Sequence, residues 1–237
     1  GIAHTKGKYL TFLDSDDAMT ADALERMVNA AISSHHQLVV GNMLMVDFSS
    51  LDKPRTLLSS SWAGERERTY DADAFQKNRM RLIYHTSLLE GPCAKLYDLT
   101  LWKQLHLQFP PDLSLGEDFV TNLQYYANCN GITFLNKTIY YYNNESQSAS
   151  LTHRYRPDLF DIKMHLMDVL LKHLGGEETL CNEEKVCFYN YVTHTGLKCI
   201  KEAALNSQLT SDSSRISEIQ KILSDPLFAH CCQQATW

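Results

Sequence analysis

A chain of 237 residues, 44% hydrophobic and 21% charged, has enough apolar surface for one large globular domain or two small ones. Its formal net charge of −6 argues against nucleic acid as a general partner, because phosphate backbones are held by basic surfaces. Seven cysteines without a C-x-x-C pair and ten histidines without H-E-x-x-H signal neither a disulfide framework nor a zinc site, and no apolar run is long enough for a membrane span or signal peptide.

The first element is Tyr9 to Asp17, Y-L-T-F-L-D-S-D-D, where apolar and β-favouring residues run into three carboxylates, as a buried strand ending at a negative cluster would. Asp14, Asp16 and Asp17 repel one another. A hard divalent cation would offset that repulsion, since Mg²⁺ takes one or two carboxylates together with phosphate oxygens; a solvated acidic loop leading into the next helix explains the tripeptide equally simply and, on these residues alone, is the favoured reading. An EF-hand opening at Asp14 fails, because Ala18 and Met19 fall where a ligand and the turn glycine are needed. A D-x-D-G-T phosphatase motif fails because Asp17-Ala18 follows Asp16.

Thr20 is the expected cap of a helix whose apolar face is Leu24, Met27, Val28, Ala31 and Ile32, spaced i, i+3, i+4, i+7, i+8. Leu38 to Val40 and Met43 to Phe48 read as strand with a bulge or kink at Gly41. Strand, helix, strand in that order indicates an α/β core. Residues 49–70, serine-rich and aperiodic, read as an exposed insertion. A helix from Ala72 to Tyr84, a turn at Gly91 to Ala94 leading into a strand, and a short helix from Leu99 to Leu105 with Trp102 inward come next.

Leu115-Gly116-Glu117-Asp118 follows a Pro-Pro turn and opens a helix with Phe119, Leu123, Tyr126 and Ala127 on one face, stopped near Asn130-Gly131. Acidic residues at a helix start are favoured by the dipole, which is a sufficient reason for their presence; the same dipole would keep Asp118 ionised, as a general base must be. Ile132 to Leu135 and Thr138 to Tyr142 read as two strands, with alternation dividing Tyr140, Tyr141 and Tyr142 between core and surface. From Pro157 the pattern is helical, with a stripe of Leu159, Ile162, Leu166, Val169 and Leu170 ended by Gly175-Gly176, then helices over 183–205 and 213–223. The sequons at Asn136 and Asn144 are read as chance matches.

Two ordered blocks carry a family. Gly1 to Asp17, G-x-A-x-x-x-G-K-Y-L-T-F-L-D-S-D-D, resembles the central block of inverting glycosyltransferases of family 2, which have the Rossmann-like GT-A fold. Lys95-Leu96-Tyr97, Phe109-Pro110, Gly116-Glu117-Asp118, Asn122, Tyr140-Tyr141-Tyr142 and Ser150-Leu151-Thr152 are similar to the second half of the same domain. The resemblance covers residues 1–153 and implies an α/β, truncated GT-A domain followed by a helical region, 154–237. The family's first half, which binds the nucleotide base, is expected to precede Gly1.

The resemblance implies transfer of a sugar from a nucleotide-diphosphate donor, a UDP-sugar by expectation, to a glycan or lipid-linked acceptor in cell-surface polysaccharide synthesis. Carried over by position, Asp14 and Asp16 hold Mg²⁺ or Mn²⁺ against the diphosphate, with Asp16 the preferred direct ligand and Asp14 alternatively facing the ribose. Lys95 joins Asp14 and Asp16 among the donor-binding residues, Asp118 is the catalytic base, and Glu117 supports the helix start. The implied setting is cytoplasmic, at the inner membrane face, with peripheral membrane contact and homo-oligomerisation left open. The reading from another class is a non-catalytic GT-A-like scaffold or partner-binding module.

Overall fold

Hydrophobic segments of alternating and helical period assemble into a sheet with helices packed on it. The structure is a computed structural model that describes residues 1–48, the backbone of 55–60, and residues 66–143, 156–205 and 211–236. Contacts divide the chain into two compact units, Gly1–Ser148 and Ala149–Trp237.

In the first unit the described strands are β1 (Tyr9–Leu10), β2 (Ala18–Met19), β3 (Leu38–Asp47), β4 (Arg55–Ser60), β5 (Arg68–Asp71), β6 (Lys95–Asp98) and β7 (Gly131–Asn143). They form one mixed sheet in the order β1-β6-β3-β7-β2, with β4 added to β3 and β5 to β7. Only β3 and β7 run parallel among these pairs; the rest are antiparallel. The helices are α1 (Ala23–Ser34), α2 (Ala72–His85), α3 (Leu99–Gln104) and α4 (Glu117–Tyr126).

Several expectations are corrected. The Tyr9–Asp17 strand is two short pieces: β1 pairs with β6, Phe12 bridges Cys93, and the chain turns at 14–17 before β2 joins β7. Thr20 does not cap α1; its hydroxyl donates to Asp22 at 2.9 Å, and Asp22 occupies the cap position. The buried face of α1 is Ala23, Met27, Ala30 and Ala31, whereas Leu24 and Ile32 are each 54% exposed. Small side chains let the helix lie close over Val39, Ala94, Leu135, Ile139 and Tyr140, which rotates the apolar stripe toward the alanines. The supposed insertion contributes β4 and β5, while 49–54 and 61–65 lie outside the described residues, as do Asn144 and Ser150-Leu151-Thr152.

The two strands expected over 132–142 are one continuous β7. Its register against β3 shifts at Val40–Met43, the place of the expected kink at Gly41. A Cβ at Gly41 would sit 2.2 Å from Ile139 Cγ1, so only glycine admits the close approach of these two strands.

The second unit contains α5 (Leu159–His173), α6 (Asn182–Leu205), α7 (Asp212–Leu223) and α8 (Pro226–Gln234). The stripe of α5 turns inward through Phe160, Met164, Leu166, Met167 and Leu170. α8 was absent from the sequence reading although its signal is plain: Asp225 caps the Phe228 amide at 2.8 Å and Pro226 takes the first turn. Gly196 on α6 makes room for the Phe228 ring, which a Cβ would meet at 2.2 Å.

Candidate active site

An aromatic cluster fixes the approach to the acidic turn. Phe12, two residues before Asp14, packs with ring centroids 5.9 Å from Tyr97, 5.6 Å from Trp102 and 5.5 Å from Phe109. Each such pair contributes about 0.5–1.5 kcal/mol beyond area burial. The chain then emerges: Leu13, Asp14, Ser15 and Asp16 are exposed, and Asp17 is half-buried.

The far side of the turn is tied to β7. The Tyr140 hydroxyl donates to Asp17 Oδ2 at 2.6 Å and accepts the Asp14 amide at 3.2 Å, and the Asn143 amide donates to Asp17 Oδ1 at 2.7 Å. Both oxygens of Asp17 are therefore engaged. Burial raises the pKa of Asp17, against the lowering effect of these bonds and with help from the neighbouring Asp14 and Asp16 charges.

The strand opposite brings two further groups. Cys93 is buried and its thiol donates to Asp14 Oδ2 at 3.6 Å; burial pushes that thiol up to about 11. Lys95, expected among the donor contacts, is 1% exposed, and its ammonium donates to the carbonyls of Gly91 at 2.5 Å and Cys93 at 3.2 Å. Burial lowers its pKa to about 7. Between them Ala94 takes a left-handed conformation, φ 55°, which costs a non-glycine residue about 1–2 kcal/mol and concentrates at constrained sites.

Asp118 arrives on the first turn of α4, started by Gly116 at φ 85°. Asn122 locks that helix to the 91–95 turn: its amide donates to Glu90 O at 3.0 Å and Gly91 O at 2.9 Å, and its oxygen accepts from the Tyr97 hydroxyl at 2.7 Å. Asp118 is raised to about 6, first by burial, then by the Glu117 and Asp14 charges, with Lys95 pulling the other way. The helix dipole alone suggested an ordinary carboxylate; desolvation outweighs it. At neutral pH the group is still mostly ionised and close to the range in which a carboxylate both holds and releases a proton readily.

The structure thus brings Asp14, Lys95 and Asp118 into one electrostatic neighbourhood, and Asp16 stands exposed beside Asp14 and Asp17. Among the described residues one donor cluster of metal-binding type occurs, Asp14, Asp17 and Cys93, with ligand atoms within 4.8 Å of one another. The donor chemistry divides it. A protonated thiol is a poor partner for a hard cation, and Asp17 is occupied by Tyr140 and Asn143, so the exposed carboxylates of Asp14 and Asp16 are the groups that fit Mg²⁺ or Mn²⁺. Sequence reasoning placed Asp17 in the acidic cluster without a role of its own and missed Cys93 and Tyr140 as parts of this constellation; a tyrosine on the inward face of a central strand, needing a partner for its hydroxyl, was the available signal. No described helix is long and apolar enough to cross a membrane.

Residues 1–104 match the family model described as glycosyl transferase family 2. The glycosyltransferase GlyA of Streptococcus pneumoniae is 27% identical over 240 residues, covering 93% of this chain and 32% of that protein. The poly(ribitol-phosphate) beta-N-acetylglucosaminyltransferase TarS of Staphylococcus aureus is 25% identical over 178 residues, covering 75% of this chain and 28% of that protein. The chain thus spans about a third of the length of these relatives. A crystal structure of TarS residues 1–349 in complex with UDP-GlcNAc superposes with a TM-score of 0.54 at 18% identity, covering 100% of this chain and 71% of that one, a likeness of fold. The mixed sheet and its helices agree with these findings: residues 1–104 match glycosyl transferase family 2, and the chain has a GT-A-like fold.

Proposed function

We propose that the native-length protein moves a sugar, a hexosyl or N-acetylhexosaminyl group, from a UDP-sugar to a hydroxyl of a glycan or lipid-linked acceptor, with inversion, in cell-surface polysaccharide synthesis. Its setting on this reading is the cytoplasmic face of the membrane. The observation that carries it is the pairing of two acidic groups from blocks a hundred residues apart: an exposed carboxylate turn, and a single carboxyl raised to about 6 that feels Asp14 across the site. The GT-A fold and the two named transferase relatives support the same reading.

In this assignment Asp14 and Asp16 hold the divalent cation, which when bound offsets the charge developing on the departing nucleoside diphosphate. Asp118 takes the proton from the attacking acceptor hydroxyl, on the side of the sugar opposite the leaving group, so that attack inverts the anomeric centre. Lys95 lies beneath: its buried positive charge favours the ionised form of Asp118. Asn122 fixes α4 and with it the direction in which Asp118 points.

The test uses the native-length protein with UDP-sugars, Mn²⁺ and a glycan acceptor, with the linkage of the product read by NMR. Inverted product, and a 10²- to 10⁴-fold lower rate in Asp118→Asn at saturating donor, about the range for loss of a general base, are expected. Retained configuration, or a fully active Asp118→Asn, would overturn the assignment.

A further inference from the structure

The acidic turn is held by a side chain 126 positions away in the sequence, and that link has a role of its own. A tyrosine hydroxyl offers one proton and two lone pairs. In Tyr140 the proton goes to Asp17 Oδ2 at 2.6 Å, a charge-assisted bond, and a lone pair accepts the Asp14 amide at 3.2 Å. The ring itself is 0% exposed, packed under α1 with Ala23, Met27 and Ile139. Its strand position is fixed on both sides, by Met19 of β2 and Met43 of β3.

Three further bonds complete the clamp: Asn143 N–H to Asp17 Oδ1 at 2.7 Å, Asp17 N–H to Asp14 O at 3.2 Å, and Thr20 N–H to Ile139 O at 3.0 Å. Without them, residues 13–16 would be an exposed stretch carrying carboxylates that repel one another. With them, the backbone at Asp14 is anchored to the centre of the sheet, and Asp17 is turned inward to serve as the anchor.

We propose that Tyr140 and Asp17 are positioning residues: the Tyr140 hydroxyl, bonded at once to the Asp14 amide and the Asp17 carboxylate, pre-sets the turn so that Asp14 and Asp16 hold a divalent cation. The proposal rests on the glycosyl-transfer reading above and assigns to Asp17 a structural use that removes it from the direct ligands.

Mn²⁺ binding to the native-length protein, in the presence of a fixed UDP concentration, is read from the loss of the free-ion electron paramagnetic resonance signal, with a thermal melt run on each variant. Tyr140→Phe keeps the ring and removes the hydroxyl; the Mn²⁺ dissociation constant is expected to rise at least about tenfold, the scale of one lost charge-assisted hydrogen bond. Asp17→Asn, which keeps the side chain's shape and weakens the same junction, is expected to move the constant in the same direction and serves if Tyr140→Phe does not fold. A purely structural role would lower the melting temperature at an unchanged Mn²⁺ constant. That result in a folded variant would overturn the proposal. Asp16→Asn separates the two ideas. If it abolishes Mn²⁺ binding while Tyr140→Phe leaves it unchanged, the clamp alone is wrong; if Asp16→Asn itself binds Mn²⁺ normally, the reading of the turn as a cation site fails.

Discussion

Asp118 carries a cost that the proposed role as general base would explain. Its folded pKa, about 6, lies above the ordinary 3.8 of an aspartate, so the fold favours the neutral form. The penalty on the ionised form is therefore full above about pH 6 and vanishes as pH falls through the unfolded range near 4. Asp118→Asn should raise stability at pH 8 by about 1 kcal/mol, discounted for the group's partial exposure and for the lost dipole interaction, and by nothing at pH 4. Urea unfolding at the two pH values checks this; equal effects at both would remove desolvation as the cause. Lys95 supplies a second residue-scale expectation, because its charge lowers the pKa of Asp118 and it is itself protonated below about 7. In Lys95→Met the acid limb of the transfer rate profile should move upward from about pH 6, with a stability loss of about 1–3 kcal/mol, chiefly for the Cys93 carbonyl, since Gly91 O keeps its bond from Asn122. A limb that stays in place would show that Lys95 does not tune Asp118.

Between elements, the decisive contact is the parallel pair β3 and β7, on which the whole acidic site hangs. Gly41 and Ile139 meet there so closely that an added methyl would overlap the isoleucine. Gly41→Ala should destabilise the protein by about 1–3 kcal/mol through overpacking, and Ile139→Ala by about 2–5 kcal/mol through the cavity it leaves. The double variant should cost less than the sum, since each change relieves the other, with a coupling of at least about 0.5 kcal/mol. Additive losses in denaturant titrations would mean that the strands shift to accommodate the methyl. The α1 helix illustrates the same scale differently: its 3.6-residue period is legible in the sequence, but the face turned inward is set by the sheet it meets, and that sheet accepts alanines and leaves Leu24 and Ile32 in water.

For the molecule as a whole, the cysteines give the simplest check. All seven are free thiols, with Cys93, Cys129, Cys187, Cys199 and Cys231 buried, Cys181 exposed and Cys232 intermediate. Burial raises Cys129 and Cys199 to about 11 and Cys231 to about 12, which suppresses the reactive thiolate. Titration with a thiol-specific disulfide reagent should modify Cys181 and Cys232 first and the remainder only on unfolding, and a reductant should leave the melting temperature unchanged. Rapid modification of all seven in the native protein would contradict the burial described.

The sequence by itself determined the resemblance to the family, most of the helices, the core strands β3 and β6, and the two acidic blocks, because those features are written in local period, turn residues and contiguous motifs. Glycine at 41, the Gly116 start of α4 and the Gly175-Gly176 stop of α5 were legible for the same reason: each is a backbone requirement that a single residue type satisfies. Only the tertiary structure decided that Lys95 is interior, that Asp17 is bound by Tyr140 and Asn143, that Cys93 faces Asp14, and that desolvation lifts Asp118. These depend on pairings across as many as 126 positions and on the removal of water from particular carboxyls. Neither leaves a trace in local composition or spacing, because the register of β7 against β2 and β3 is settled by the packing of the whole sheet.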